Sequence, residues 1–437
     1  MSAIFPARAP QREGWVEVGG VRLRYAEWNE ADGVDRPVLF LLHGLDANVY
    51  VWSRLASHPP GWRLVALDQR GHGGSEHPAA GYSVQSVVAD AVAAIRQLGL
   101  QRPVLVGHSW GGAIALELAA AHPELVSALA FVDGPAADVA GAMTLEVAAA
   151  QMLDGARGYS AVEAAFAAQE RYLGQAWGMD LIPFVERSLR QLPEGGVTSK
   201  LTLEARLEIL SSMYEYRPAE LFSQVQGPLL LSLAAWTRET KAEVFLGWKR
   251  AAAAHVQEQR SDSWVRWYES HHEVTLFQPG RLAADLERLA FAAAYSDLAH
   301  QVERLELDWQ TPLIGEQEAW TAKDLLAHLA STQTSLSHLV LTAGAQLWSE
   351  AAEEAPPFDA DRWNASQVGR RRQTTPDELM EELSAGARRA TELLSTADLE
   401  APTTAGPLPG QPLRKTLQLL VRHGYDHLRR LQAVAQA

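Results

Sequence analysis

Pro103-Val104-Leu105-Val106-Gly107-His108-Ser109-Trp110-Gly111-Gly112-Ala113-Ile114-Ala115-Leu116-Glu117-Leu118-Ala119-Ala120 decides the fold class. A β-branched apolar run passes directly into a glycine-flanked serine, and an Ala- and Leu-rich helical run follows at once. G-x-S-x-G in strand–turn–helix context places the serine on a sharp turn with its hydroxyl exposed above a sheet. Glycines on either side relieve crowding around a strained serine backbone. The helix that opens there presents partial positive charge to a developing anion.

Outward from this turn, strand-like runs occur at 21–28, 37–42, 63–67, 103–106 and 129–132. Helix-like stretches lie between them, notably 83–98 and 111–121. Strands alternating with helices predict a mostly parallel sheet covered on both faces, the α/β class. Residues 135–226 are Ala- and Glu-rich with helical spacing and no convincing strand, which predicts a helical cap inserted in the sheet domain. The alternation resumes with strands at 228–233 and 264–268 and helices near 241–260 and 281–294. Beyond 295 only helical pattern remains, in segments near 296–306, 321–347, 376–396 and 411–436, broken by Pro356-Pro357 and by the Pro- and Gly-rich 401–412. Breakers of this kind separate the helices of a bundle. Two domains are expected: 1–294 with its cap, and an all-α bundle at 295–437.

Composition narrows the chemistry. The 437 residues contain no Cys, which excludes disulfides, Cys-ligated zinc, iron–sulfur clusters and a thiol nucleophile. The 14 Trp suit deep apolar cores and pockets. A net charge of −15 argues against nucleic acid and anionic membranes as partners. Residues 1–20 hold no apolar core of signal-peptide length and no apolar run approaches about 18 residues, so a cytoplasmic protein is the expectation.

The serine turn, His43-Gly44-Leu45 closing the run VLFLL, and Asp68-Gln69-Arg70-Gly71-His72-Gly73-Gly74-Ser75 closing RLVAL together resemble the α/β-hydrolase fold superfamily over about residues 14–294. The resemblance implies Ser109 as nucleophile, with the backbone N–H groups of Leu45 and Trp110 as the oxyanion hole. His43 and the Asp68–Ser75 run carry structural roles in that reading. The base follows the last strand, and His272 stands seven residues before Pro279 as the family's G-H-x-x-x-x-x-x-P pattern requires, with His271 in place of the glycine. The acid is open. The usual position after PLLLSL holds Trp236, and the alternatives are Asp133, which ends LAFVD, and Glu239. Ser at 109 sets the chain apart from relatives with an Asp nucleophile, such as haloalkane dehalogenases and epoxide hydrolases. Phe166, Tyr172, Trp177, Phe184, Met213, Tyr214 and Tyr216 in the cap suggest a hydrophobic acyl or aromatic substrate, although most of them read as cap core.

The last segment carries a second constellation. His423 and His427 lie four apart and stack on one helical face with Leu420, Leu431 and Val434. Unpaired buried imidazoles are costly, and a bridging metal satisfies both. His328 holds a matching position with Leu325 and Thr332 in WTAKDLLAHLAS, whereas His300 and His338 read as surface residues. This segment, the Asp361-Arg362-Trp363-Asn364 turn and the closing HGYDHL resemble the DinB-like four-helix bundles over about 295–437, relatives of which include the bundle domain of mycothiol-dependent maleylpyruvate isomerases. The resemblance implies a divalent metal, Zn or Ni, on His328, His423 and His427, with a coordination position open to water or a thiolate.

The expected function is therefore a serine hydrolase of esters, thioesters or lactones of a hydrophobic small molecule, needing no cofactor at its own site and joined to a metal-binding bundle. One rival is a metal-dependent thiol transferase or isomerase in the bundle, drawing on a low-molecular-weight thiol, with an accessory hydrolase. The other is a non-catalytic ligand sensor or scaffold. A homodimer is compatible with each.

Overall fold

The computed structural model describes residues 7–29, 37–58, 62–134, 136, 138–142, 144–155, 158–235, 242–313, 320–343, 359–403 and 406–436. The chain divides into two compact units, one reaching Glu287 and the other beginning at Arg288.

In the first unit the strands are β1 (Arg12–Val18), β2 (Val21–Trp28), β3 (Val38–Leu42), β4 (Arg63–Leu67), β5 (Val104–His108), β6 (Ala128–Val132), β7 (Leu189–Gln191), β8 (Val197–Ser199), β9 (Leu229–Ala234) and β10 (Trp264–Tyr268). Eight form one sheet in the order β1-β2-β4-β3-β5-β6-β9-β10. β1 and β2 are antiparallel at one edge, and the six strands from β4 to β10 run parallel. Helices α1 (Val84–Gln97) and α2 (Trp110–Ala121) follow β4 and β5. Val84, Val87, Val88, Ala91, Val92 and Ile95 bury one stripe of α1, the three-four spacing of a helix lying on a core. α2 is buried nearly all round, because it lies at the centre of the layer that covers the sheet.

Between β6 and β9 come α3 (Val139–Ala142), α4 (Leu145–Gly155), α5 (Val162–Leu173), α6 (Ile182–Ser188), α7 (Leu203–Glu215) and α8 (Pro218–Leu221). This segment is helical as expected, with one correction: β7 and β8 pair as an antiparallel hairpin within it. Met213 and Tyr216 join the main core, and Phe166 and Trp177 pack ring against ring at 6.2 Å. Tyr172 is exposed instead. After β9 come α9 (Ala242–Gln259), α10 (Val274–Phe277) and α11 (Pro279–Glu303). α11 is one continuous helix, so the stretches expected at 281–294 and 296–306 are not separate, and the units divide seven residues before 294.

The second unit comprises the rest of α11 with α12 (Ala322–Thr342), α13 (Ala360–Arg370), α14 (Pro376–Leu394) and α15 (Leu413–Ala435). Its core gathers Leu298, Val302, Leu325, Leu329, Leu383 and Leu428. Thr321 with Asp324, and Thr375 with Glu378, close reciprocal capping boxes at the starts of α12 and α14. A Cβ at Gly424 would stand 2.8 Å from Leu298 Cδ2, so glycine lets α15 approach α11 closely. Asp361–Asn364 lie within the first turns of α13, not in a turn between helices. His338 is exposed as expected, whereas His300 is half-buried. No helix among the described residues is long and apolar enough to cross a membrane.

Candidate active site and three-histidine cluster

Ser109 follows β5 with φ 53° and ψ −123°, a strained conformation for a residue with a side chain. A Cβ on Gly107 would lie 2.2 Å from the Gly111 carbonyl oxygen, and one on Gly111 would lie 2.2 Å from that of Leu42. Glycine at both positions is therefore a steric requirement of the turn. Trp110 is the first residue of α2, so its N–H has no intrahelical acceptor. At the end of β3 a Cβ on Gly44 would lie 2.9 Å from Ser109 Cβ, which brings the Gly44–Leu45 backbone against the serine.

His43 is structural, as expected. Its Nδ1–H donates to the Gly44 carbonyl (2.7 Å) and its Nε2 accepts from the Gln69 N–H (3.1 Å). Asp68 ties the neighbouring loop together, accepting from the N–H groups of Val49 and Gly74 and from Arg24.

The loop after β10 presents His272. Its Nε2 accepts from Ser109 Oγ at 2.8 Å, and its Nδ1–H donates to Asp133 Oδ2 at 2.7 Å. Asp133 follows β6 with φ 45°, a left-handed backbone that Asp tolerates better than most residues. Its side chain is 0% exposed. Oδ1 accepts from the Ala234 N–H at the end of β9 (2.9 Å), and Lys249 of α9 donates to both carboxylate oxygens at 2.7 and 2.9 Å. Burial would push Asp133 up, but the bond and charge of His272 and the Lys249 ammonium outweigh it and hold the carboxyl below its ordinary value. His272 is shifted the other way. Its burial penalty is overcome by the hydrogen bond and charge of Asp133, helped by Glu273. Glu239 and Trp236 lie outside the described residues.

Two contributors carry no sequence signal. His108, the variable residue of G-x-S-x-G, donates Nε2–H to the His272 carbonyl at 3.0 Å and steadies the base loop. Lys249 sits in a helix whose pattern distinguishes it from no other surface lysine. His108, His272 and Glu273 also lie close together, yet both His272 nitrogens are engaged by Ser109 and Asp133, which leaves none for a metal. A 630 Å³ groove along α1 and α2, lined by Val88, Val92, Arg96 and Glu117 among others, touches none of Ser109, Asp133 and His272.

In the bundle, His328 Nε2 lies 2.8 Å from His423 Nε2, which lies 3.1 Å from His427 Nε2. Two contacts converge on one nitrogen that offers either a single proton or a single lone pair. Hydrogen bonding alone therefore cannot satisfy the trio, whereas a cation can. Burial, mutual repulsion and Arg430 push His328 down to about 3 and His427 to about 2, so both imidazoles are neutral, the form a metal would require. His423 and His427 stand at the edge of the α15 stripe whose centre is Leu417, Val421, Gly424, Leu428 and Leu431.

Residues 37–173 match the family described as alpha/beta hydrolase fold, and residues 290–431 match the DinB superfamily. The chain joins an α/β-hydrolase region to a DinB region. In the hydrolase region the chain is similar to epoxide hydrolase 3 of Xenopus tropicalis, 36% identical over 139 residues, 30% of this chain and 37% of that protein. It is 36% identical to epoxide hydrolase A of Mycobacterium tuberculosis over 128 residues, 28% of this chain and 39% of that protein. Lipase LipV of the same organism is 39% identical over 111 residues, 25% of this chain and 42% of that protein. Each match spans less than half of the relative's length. An E-2-(acetamidomethylene)succinate hydrolase structure, 22% identical with a TM-score of 0.51, covers 64% of this chain with 98% of its own and shares the hydrolase fold.

Proposed function

We propose that the hydrolase region is a serine hydrolase acting on an ester, thioester or lactone of a hydrophobic small molecule. The carrying observation is the relay from Ser109 Oγ through His272 to Asp133, with contacts of 2.8 and 2.7 Å. His272 Nε2 takes the Ser109 proton as Oγ attacks the carbonyl carbon, and the Leu45 and Trp110 N–H groups stabilise the oxyanion. The tetrahedral intermediate collapses, the leaving group takes that proton from His272, and an acyl-enzyme remains. Water, deprotonated by His272, then releases the acid and restores Ser109. Asp133 fixes the ring with Nδ1–H inward and stabilises the imidazolium formed in each half-reaction. The relatives' names suggest epoxide opening, but a hydroxyl rather than a carboxylate stands at the elbow, which favours acyl transfer.

A fluorophosphonate probe tests this reading. It is expected to label folded wild-type protein and to leave Ser109→Ala unlabelled. Wild-type protein that stays unlabelled while folded would overturn the hydrolase and leave a ligand-binding scaffold.

The three-histidine cluster favours a second activity. His328, His423 and His427 would hold a divalent cation, Zn or Ni, through Nε2. When bound, such an ion supplies a Lewis-acid position for water or the thiolate of a low-molecular-weight thiol. Metal analysis of the purified chain decides whether the bundle binds metal.

A further inference from the structure

Lys249 makes three polar contacts at the ends of two strands: Asp133 Oδ1 at 2.7 Å, Asp133 Oδ2 at 2.9 Å and the Ala234 carbonyl at 3.1 Å. It therefore bridges the ends of β6 and β9. Its side chain is 19% exposed, and it reaches a carboxylate with no exposure at all.

We propose that Lys249 is a positioning residue for the triad: it keeps Asp133 ionised and fixed between β6 and β9, and so keeps His272 as the free base that accepts the Ser109 proton. The proposal rests on the serine-hydrolase reading above. A fully buried carboxylate facing only a neutral imidazole has a strong incentive to take up a proton or to hold the imidazole as its cationic partner. Either event idles the base. An ammonium on the outer side of the carboxylate removes that incentive, because the charge is already neutralised while His272 is neutral. The same contacts set orientation. The Ala234 N–H and Lys249 hold Oδ1, and Lys249 also reaches Oδ2, the oxygen that accepts from His272 Nδ1, so the carboxylate is fixed on both sides.

The charged and titratable groups around His272 come from four elements. Asp133 follows β6, Lys249 is on α9, Glu273 adjoins the base in its own loop, and His108 ends β5 with its ring centroid 4.9 Å from that of His272. Asp133 and Glu273 favour the imidazolium, and Lys249 opposes it. His108 is itself held below its ordinary value by burial, so it brings no charge near neutrality.

The test is the rate of fluorophosphonate labelling of the full chain against pH, for wild type, Lys249→Met, Lys249→Gln and Lys249→Arg. The acid limb reports deprotonation of His272. Its midpoint is expected to rise by about one pH unit in the two neutral variants and to stay at the wild-type value in Lys249→Arg. Neutral variants that fold and titrate as wild type overturn the proposal. So does a Lys249→Arg midpoint that moves as far as that of Lys249→Met, since shape rather than charge would then matter. If neither neutral variant folds, Lys249→Arg alone decides by keeping or losing the wild-type midpoint. A wild-type chain that is never labelled defeats the hydrolase reading instead, which separates the two failures.

Discussion

Arg206 of the cap helix α7 is ion-paired with Asp46, the residue that follows Leu45. Ser199 of the cap hairpin donates to the same Asp46 oxygen at 2.5 Å. Asp46 itself has φ 61°, so the backbone beside the proposed oxyanion donor is held in an uncommon conformation by two side chains of the cap. The inserted segment thereby contacts the loop that carries Leu45.

Weakening that link is expected to cost turnover more than binding. Arg206→Met frees Asp46, and small displacements of a positioned donor reduce rate steeply. A fall in kcat of about tenfold on an acyl ester is expected with little change in KM, partly restored in Arg206→Lys. Steady-state kinetics on the three proteins checks it, and an unchanged kcat for Arg206→Met would show that the cap contact does not position the loop.

Gly111 and Gly112 should respond differently to a methyl group. At Gly111 the new Cβ would meet the Leu42 carbonyl oxygen at 2.2 Å, and at Gly112 it would meet the Phe131 ring at 3.2 Å. The Gly112 methyl would also meet the Gly107 carbonyl oxygen and Gly134 Cα at 3.3 Å. Contacts of 3.2–3.3 Å need a give of only a few tenths of an ångström, whereas an overlap at 2.2 Å with backbone does not relax. Gly111→Ala is expected to lose more than about 3 kcal/mol, and Gly112→Ala about 1 kcal/mol or less, as read by denaturant unfolding.

Acid should destabilise the hydrolase region through His43 and His72. Burial, offset for His43 by its bond to Gly44, pushes their affinities down from 6.5 to about 4 and about 3. The unfolded chain therefore binds more protons than the folded one below about pH 6.5, and stability falls as pH falls through that window. The loss levels off near pH 4 for His43 and near 3 for His72. Each imidazole contributes a slope of up to about 1.4 kcal/mol per pH unit. His43→Gln is expected to flatten the profile, and thermal unfolding between pH 7 and 5 measures it.

Metal retention should depend on the trio and not on a surface histidine. One divalent ion per chain is the expectation for wild type and for the exposed His338→Ala. His328→Ala and His423→Ala are each expected to lose it, because a site of three imidazoles reduced to two binds far more weakly. Elemental analysis after dialysis checks it, and equal metal in all four proteins would place the ion elsewhere.

The features legible from the residue string are those that depend on close neighbours along the chain. α1, α12, α14 and α15 declare themselves by apolar period, the parallel strands and α2 by continuous apolar runs, and the serine turn by its glycines. What escaped is short or polar. β1 is an edge strand with only Val16 buried, β7 and β8 have three residues each, and α13 buries only Val368. No period can emerge from so little buried surface.

Ser109 at a strained turn and the His423/His427 pair follow from the sequence itself, because steric demand and helical repeat act over a few residues, and His272 follows from the family pattern that its offset from Pro279 resembles. Which carboxylate meets His272 does not. Asp133 lies 139 positions from its imidazole, and Lys249 lies 116 from Asp133. β6 and β9 are neighbours in the parallel sheet, and neighbouring strands end about 4.8 Å apart. An acid at the end of either strand can therefore serve the same base. Strand order brings Asp133 to His272 and places Lys249 behind it, and strand order is a property of the folded chain alone.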